Sequence, residues 1–318
     1  MKFKTILEAG DLKDKRVLVR VDWNVPFENG QVRDDFRIKK SLPTLQYLQK
    51  AGAKVIIATH LEPASPAGGS DTASVEPLRA YVPEGMELLE NLRQNPGEKT
   101  NDPKFAEELA SKADVFVNEA FSASHREHAS IVGVPKLLPS YAGLQFAEEV
   151  AQLSKAFNPP HPFLFILGGA KFETKLPLVE KFLTIADEIF IAGAIAKPAS
   201  LLPLVQNPKI TLPLGDVAAL DADDANIALM QQKIVDKAFV LWNGPLGKYE
   251  AGYTQGTLKL AQLLADSGKQ IIVGGGDTLT AIKTLNLFEK FTFVSTAGGA
   301  MLDFLANETL PGIEALES

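Results

Sequence analysis

KQIIVGGGDTLTAIKTL, residues 269–285, passes from a short apolar run through three consecutive glycines into a segment of helical period. A buried parallel strand reads as a near-continuous apolar run, and a helix leaving its end through a tight glycine turn begins a crossover. The same succession recurs on either side. FLFIL (163–167), EIFIAG (188–193), KAFVLWN (237–243) and FTFVSTAGG (291–299) run into small residues, and helical patterns such as TKLPLVEKFLTIA (174–186) follow. Strand, glycine turn and helix in repetition imply a parallel sheet with right-handed crossovers.

The first half repeats the alternation with fewer glycines. RVLVRVD (16–22), KVIIAT (54–59), MELLEN (86–91) and DVFVNEA (114–120) read as buried strands, and DDFRIKKSLPTLQYLQKAG (34–52) and DPKFAEELASKA (102–113) as helices with Asp near the start. Residues 60–85 are rich in Pro, Gly, Ser and Ala without a sustained period and read as a surface loop with one helical turn. A long helical pattern over 137–157 stops at NPPHP (158–162), where two prolines in succession break it. The expected fold class is therefore α/β, with two doubly wound parallel-sheet (Rossmann-like) domains joined by a hinge helix. The first spans 1–157 and includes that helix, the second spans 158–306, and the tail 307–318 is expected to return to the first.

At 318 residues the chain exceeds one ordinary hydrophobic core, which agrees with two domains. Hydrophobic residues at 46% and charged residues at 22% exclude a disordered chain. A net charge of −7 argues against a protein that coats nucleic acid, which needs many Lys and Arg to neutralise phosphates. Cysteine is absent, so neither disulfides nor thiolate metal sites are available. MKFKTILEAGDLKDKRV (1–17) lacks the pattern of a secretory signal, and no apolar run reaches the ~18 residues of a membrane span. A cytoplasmic protein with no membrane partner is expected.

Four glycine turns, GGAK (168–171), GPLG (244–247), GGGDT (274–278) and AGG (297–299), follow strands and should share the C-terminal edge of one sheet. Singly, each serves equally well as a tight connection; together they suggest helix N-termini converging on phosphate. GxxxxGK[ST] is missing, and the first strand leads into WNVP (23–26), so neither a P-loop kinase nor a dinucleotide enzyme is indicated. Lys171 and Lys175 lie four apart at a helix start, which would set both ammonium groups on one face. Asp277 suits an N-cap, and beside a phosphate turn it also suits Mg²⁺. In the first half Arg37, His60, Arg93, Arg126, His125 and His128 fall near strand ends and would converge into an anion pocket if those strands are parallel neighbours.

RVLVRVDWNVPFENGQVRDDFRI (16–38), LLENLRQNPGE (88–98), NEAFSASHREHAS (118–130), LGGAKFETK (167–175), LWNGPLGKYE (241–250), GGGDT (274–278) and STAGGAMLDFL (295–305) occur in an order and spacing that resembles phosphoglycerate kinase across nearly the whole chain. The resemblance implies that the first domain holds 3-phosphoglycerate or 1,3-bisphosphoglycerate and the second holds ADP or ATP with Mg²⁺. It assigns Asp22 and Asn24 to the substrate's hydroxyl and carboxylate region, and Arg37, His60, Arg93 and Arg126 to its basic pocket. Arg37 would also stabilise the transferred group. On the nucleotide side it assigns Gly168, Gly169, Lys171, Lys175, Asn243, Pro245, Gly275, Gly276 and Thr278, with Glu250 at the ribose and Asp277 at the metal. A monomer that closes about its hinge is implied. The alternative is a non-catalytic member of the same fold that binds or scaffolds with an impaired adenine pocket.

The chain departs from the family at three places. HLEP (60–63) stands where HLGRP is usual, so a pocket arginine is missing, Glu62 lies nearby, and Arg79 becomes the candidate replacement. The family's glycine triplet after EIFI is here Ala192, Gly193 and Ala194, and a long adenine-side insertion is reduced to 201–236. Ala297 replaces a further glycine, so methyl groups are expected to crowd a phosphate-binding backbone.

Overall fold

A computed structural model describes residues 3–28, 30–62 and 73–317. Residues 63–72, part of the loop expected over 60–85, lie outside the described residues. The chain divides into two compact units, Met1–Ala151 with Thr309–Ser318, and Gln152–Glu308. The division falls inside a helix, several residues before the proline pair.

In the first unit a five-stranded parallel sheet has the order β5-β4-β1-β6-β7. Its strands are β1 (Arg16–Arg20), β4 (Lys54–Ala58), β5 (Glu87–Leu88), β6 (Val115–Asn118) and β7 (Ser140–Ala142), and a small hairpin, β2 (Phe27–Glu28) and β3 (Gln31–Val32), stands apart. Helices α1 (Phe36–Lys50), α2 (Gly97–Thr100), α3 (Pro103–Ala110) and α4 (Leu144–Ser154) complete the layers. Val17 and Val19 pack with Ile38, Leu45 and Leu48 on one face, and Leu18 with Phe105, Leu109 and Phe116 on the other, which is why the strand reads as unbroken apolar sequence. The tail joins this unit: α11 (Pro311–Glu314) donates Gly312 N–H to Ser124 O at 2.9 Å.

The second unit carries six strands in the order β10-β9-β8-β11-β12-β13. They are β8 (Phe163–Leu167), β9 (Glu188–Ile191), β10 (Ile210–Thr211), β11 (Phe239–Asn243), β12 (Gln270–Gly274) and β13 (Phe293–Val294). Every pairing is parallel. This is the doubly wound order in which the chain starts at the centre, winds to one edge and returns to wind to the other. Around it lie α5 (Phe172–Phe182), α6 (Ala196–Ser200), α7 (Asp224–Ile234), α8 (Gln255–Asp266), α9 (Gly276–Thr284) and α10 (Gly299–Asn307). All five residues of β8 are fully buried, and Phe163 and Phe165 both meet Phe182 of α5, so this strand alone supplies several side chains worth about 1.5–3 kcal/mol each on burial. No described helix is long and apolar enough to cross a membrane.

One expected element is corrected. The helical pattern over 137–157 resolves into β7, a turn at Gly143, α4 and a final 3-10 turn, Lys155–Phe157. Pro139 cannot donate within a helix, and Ser140–Ala142 is drawn instead into the ladder beside β6. Gly143 then brings the backbone against Glu119, whose carboxylate lies where a Cβ would sit, at 1.8 Å. Glu119 accepts from Thr44 Oγ at 2.6 Å and from the first backbone N–H groups of α4, those of Gln145 and Phe146. Those donors favour the ionised form, yet complete burial outweighs them and raises its pKa to about 8.

The folded chain thus retains on Glu119 a proton that an unfolded chain releases near 4.5, so this group's stability contribution is fullest below about 4.5 and is lost as pH rises through 8. In Glu119→Gln that loss is absent. Urea midpoints at pH 5, 7 and 9 are expected to show wild type declining relative to the variant across the range, and a constant difference would contradict the buried titration.

Candidate active site

In the first unit the functional side chains stand just past the C-terminal ends of β1, β4, β5 and β6. Trp23 is fully buried and ties two of these loops together, its backbone N–H donating to Thr59 Oγ at 3.0 Å and its indole N–H to Ser41 Oγ at 2.8 Å. That anchor places Asp22 and Asn24 over the first turn of α1. From there Arg37 donates through Nη1 to Asp22 Oδ2 and to Asn24 O, both at 3.1 Å, and Ser122 also donates to Asp22. Burial alone would push the Asp22 carboxyl up, but Arg37, the Ser122 hydroxyl and Arg20 outweigh it and hold the group well below the usual carboxylate value.

His60 is buried beyond β4, and Arg20 Nη2 lies 2.9 Å from its Nδ1. A guanidinium only donates, so Nδ1 accepts and the ring is neutral with its proton on Nε2. Burial first, and then Arg20, draw its pKa well down, in agreement. His128 repeats the arrangement, with Arg93 Nη1 3.2 Å from Nδ1 and a pKa lowered to about 3 by burial and the arginines around it. Arg93 is set by Asn91, whose Oδ1 accepts from both Leu61 N–H and Arg93 N–H at 3.0 Å. Arg126 follows β6 and donates from Nε to His125 Nε2 at 3.2 Å and from Nη1 to Glu62 Oε1 at 2.9 Å. Contacts and charge interactions therefore link Arg37, His60, Arg93 and Arg126 through Asp22, Arg20 and Glu62.

Sequence reasoning missed Arg20 and Glu98. Arg20 is fully buried and donates to Ser130 Oγ at 2.9 Å and to Val21 O at 2.5 Å, while Ser130 donates to the buried Glu98 at 2.7 Å. The available signal was a charged residue inside an apolar strand, RVLVR. Arg79 does not stand in for the missing arginine: it pairs with Glu76 on its own 3-10 turn at 2.6 Å.

In the second unit the glycine turns enclose a cleft of about 440 Å³ at the point where the strand order reverses, between β8 and β11. The N-termini of α5, α9 and α10 open into it through Gly169–Lys171, Gly275–Asp277 and Gly298–Gly299, so three positive dipole ends share one space. Lys171, Lys175, Asn243, Pro245, Glu250 and Asp277 line it as well. Lys171 precedes α5 in a left-handed conformation, φ +62°, and is exposed; it lines the same cleft as Lys175 from outside the helix. Lys175 is buried, and its Nζ donates to Gly168 O. Burial lowers its pKa to about 8, with Asp277 opposing and Lys171 assisting. The Asp277 carboxyl is raised by burial and by Glu250, against Lys175.

The Asp277 carboxylate at the head of α9 in this cleft is a donor that suits Mg²⁺, which takes one or two carboxylates and completes its shell from phosphate and water.

Two of the expected nucleotide residues are tied into the turns themselves. Gly168 N–H donates to Asn243 O at 2.8 Å, and a Cβ there would lie 2.3 Å from Pro245 O, so two turns pack closely at this point. Thr278 is fully buried, with its hydroxyl accepting Gly244 N–H at 3.1 Å. Gly169 lines the cleft, but its N–H is committed to Pro245 O at 2.7 Å. Ala297 and Ala192 are buried, and Gly193, at φ +65°, stands where a Cβ would meet backbone, 2.7 Å from Gly169 N and 2.8 Å from Pro245 O.

Two parallel α/β units, one bearing a guanidinium array and the other a glycine-walled cleft with a buried lysine, define a protein equipped for highly anionic small molecules. The family model described as phosphoglycerate kinase matches residues 7–87, 72–202 and 204–308. The chain belongs to the phosphoglycerate kinase family. It is similar to the phosphoglycerate kinase of Dictyoglomus turgidum, 36% identical with 99% of each chain covered, and to that of Thermus thermophilus, 36% identical with 99% of this chain and 100% of the relative covered. The first alignment runs over 393 residues against 318 in this chain, so relatives carry internal stretches that it lacks. Among solved structures, phosphoglycerate kinase from Coxiella burnetii superposes with a TM-score of 0.84 at 30% identity, covering 99% of this chain and 98% of that one. The enzyme from Pyrococcus horikoshii gives 0.82 at 27% over the same shares.

Gly193→Ala tests the interlocked turns against Gly215→Ala, another positive-φ position with nothing within 4 Å. The control is expected to lose about 1 kcal/mol from the left-handed backbone, and Gly193→Ala a further 1–3 kcal/mol or so from overpacking. Equal urea midpoints would show that the turns can part freely.

Proposed function

We propose that the chain catalyses reversible, Mg²⁺-dependent phosphoryl transfer between 1,3-bisphosphoglycerate and ADP, forming 3-phosphoglycerate and ATP, as a monomeric cytoplasmic enzyme of glycolysis. The family match over the full length, joined to Lys175 and Asp277 in one cleft, is the observation that supports it most. The first unit, Met1–Ala151 with the tail, holds the phosphoglycerate; the second holds the nucleotide.

Asp22, kept ionised, accepts from the substrate's hydroxyl, with Asn24 beside it. Arg37, Arg93 and Arg126 answer its carboxylate and phosphate, and neutral His60 offers its Nε2 proton. Arg37 serves the phosphoryl group in transit. Lys171 and Lys175 neutralise phosphate oxygens, the N-termini of α9 and α10 add fixed dipoles, and Glu250 accepts from the ribose. Asp277 holds the metal, which when bound supplies charge neutralisation to the phosphates. An oxygen of the ADP terminal phosphate attacks phosphorus, the bond to the acyl oxygen breaks, and the carboxylate leaves. No proton transfer or covalent enzyme intermediate is needed, so the protein contributes positioning and electrostatics. The non-catalytic alternative draws no support: burying Lys175 costs stability that a scaffold has no use for.

A coupled assay with ATP and 3-phosphoglycerate is expected to show turnover, and Arg37→Ala and Lys175→Ala to lower kcat by about 100-fold or more while the circular dichroism spectrum holds. Rates within threefold of wild type would remove both residues from the chemistry. Because the charged form of Lys175 binds phosphate and its pKa is about 8, kcat/KM for the nucleotide should fall tenfold per unit above pH 8. Lys175→Arg is expected to abolish that inflection. A wild-type profile flat to pH 9.5 would refute the assignment.

A further inference from the structure

The basic crevice of the first unit balances its charges unevenly. Asp22 answers Arg37 directly at 3.1 Å, and Glu98 answers Arg20 through Ser130, whose hydroxyl accepts from Arg20 Nε and donates to Glu98. Both carboxylates are largely shielded from water, with side-chain exposures of 10% and 0%. Arg126 is left to Glu62, and Arg93 is shared between Glu98 and Glu62. A single oxygen, Oε1, lies 2.9 Å from Arg126 Nη1, 3.5 Å from Arg93 Nη2 and 3.9 Å from His60 Nε2.

Glu62 differs from the other two acids in ways that bear on ligand entry. Its side chain is 44% exposed, so the ion pairs it makes are screened and weak, whereas those of Asp22 and Glu98 are not. Its backbone is pinned by donation to Asn24 Oδ1 at 3.0 Å, so release of the arginines needs only a side-chain rotation. One carboxylate oxygen also answers the guanidinium groups incompletely: Arg93 Nε is buried and has no hydrogen-bond partner among the described residues. A buried donor left open is unfavourable, and a ligand carrying several oxygens and more than one negative charge would remove that penalty where Glu62 does not.

We propose that Glu62 is an internal stand-in for the substrate's anionic group, seated on Arg93 and Arg126 in the free enzyme and displaced when the acid binds. The inference deepens the proposed function and rests on its reading of this crevice as the seat of phosphoglycerate. Glu62 is then a specificity-determining residue. A small monoanion gains nothing by exchanging with a tethered carboxylate, while a multiply charged phosphorylated acid gains both charge and the open Arg93 donor. The cost of the exchange appears in substrate affinity, since a carboxylate that stayed in place would repel the newcomer.

The test uses full-length wild type, Glu62→Gln, which keeps shape and removes charge, and Glu62→Ala. Calorimetric titration with 3-phosphoglycerate and, separately, with inorganic sulfate is read beside KM for 3-phosphoglycerate, with KM for ATP as the internal reference. Displacement requires both Kd values and that KM to fall about tenfold in both variants while KM for ATP holds. Unchanged or weaker binding in the variants would overturn it, showing that Glu62 orients the arginines for the ligand. The sulfate arm separates the two readings: tighter sulfate in a chain that never turns over 3-phosphoglycerate keeps the displacement and removes the kinase. Turnover with unmoved KM and Kd keeps the kinase and removes the displacement.

Discussion

In each sheet the strand that comes first in the chain lies inside, and the chain winds to one edge before returning to wind to the other, so the order reverses at β1 and β6 and again at β8 and β11. Right-handed crossovers put the helices after those neighbouring strands on opposite faces, and the loops that leave them diverge. The gap that opens there is a consequence of topology, formed before any side chain is chosen. Asp22 and Ser122 flank it in one unit, and Gly169 and Gly244 in the other. Asp22, Asn24, His60 and Arg93 in one unit, and Gly169, Lys171, Gly275 and Asp277 in the other, stand within a few residues of a strand end, on a scaffold whose central strands are largely buried.

The two crevices answer negative charge by different means. The first uses side chains, and packing guanidinium groups together is tolerable because the imidazoles among them give up their protons and Asp22 stays ionised. The second uses backbone. There the dipoles of three helix N-termini are fixed by the same hydrogen bonds that hold the helices, so little reorganisation is required when charge arrives. The requirement for backbone approach explains why Gly168, Gly193 and Gly244 interlock so closely that their Cβ positions are already occupied by neighbouring main chain.

What the sequence revealed follows from this division. FLFIL matched β8 residue for residue because complete burial imposes a continuous apolar run. The helical pattern over 137–157 misled because period alone does not register that Pro139 and Gly143 bracket three residues needed by the edge of a sheet. Arg37, His60, Arg93 and Arg126 were legible from their places after strands, since parallel strands bring such places together. Arg20 and Glu98 were not: they act from inside the core, and their partners lie 110 and 32 positions away in the chain, at Ser130. For Gly168 and Thr278 sequence does not separate shaping a turn from facing a ligand, because both leave the same mark.

Both crevices also hold charge that the free chain satisfies only in part. Lys175 is held by a carbonyl in a space that lowers its affinity for a proton, Asp277 is pressed by Glu250, and Arg93 keeps a buried donor open. Each imperfection has the sign that an anionic ligand, or a cation accompanying one, would correct. Buried groups of this kind destabilise a protein unless something compensates them, so their presence in these two crevices marks where compensation from outside would be received. Ligand binding should then draw its strength less from new contacts than from completing interactions that the fold has left unfinished.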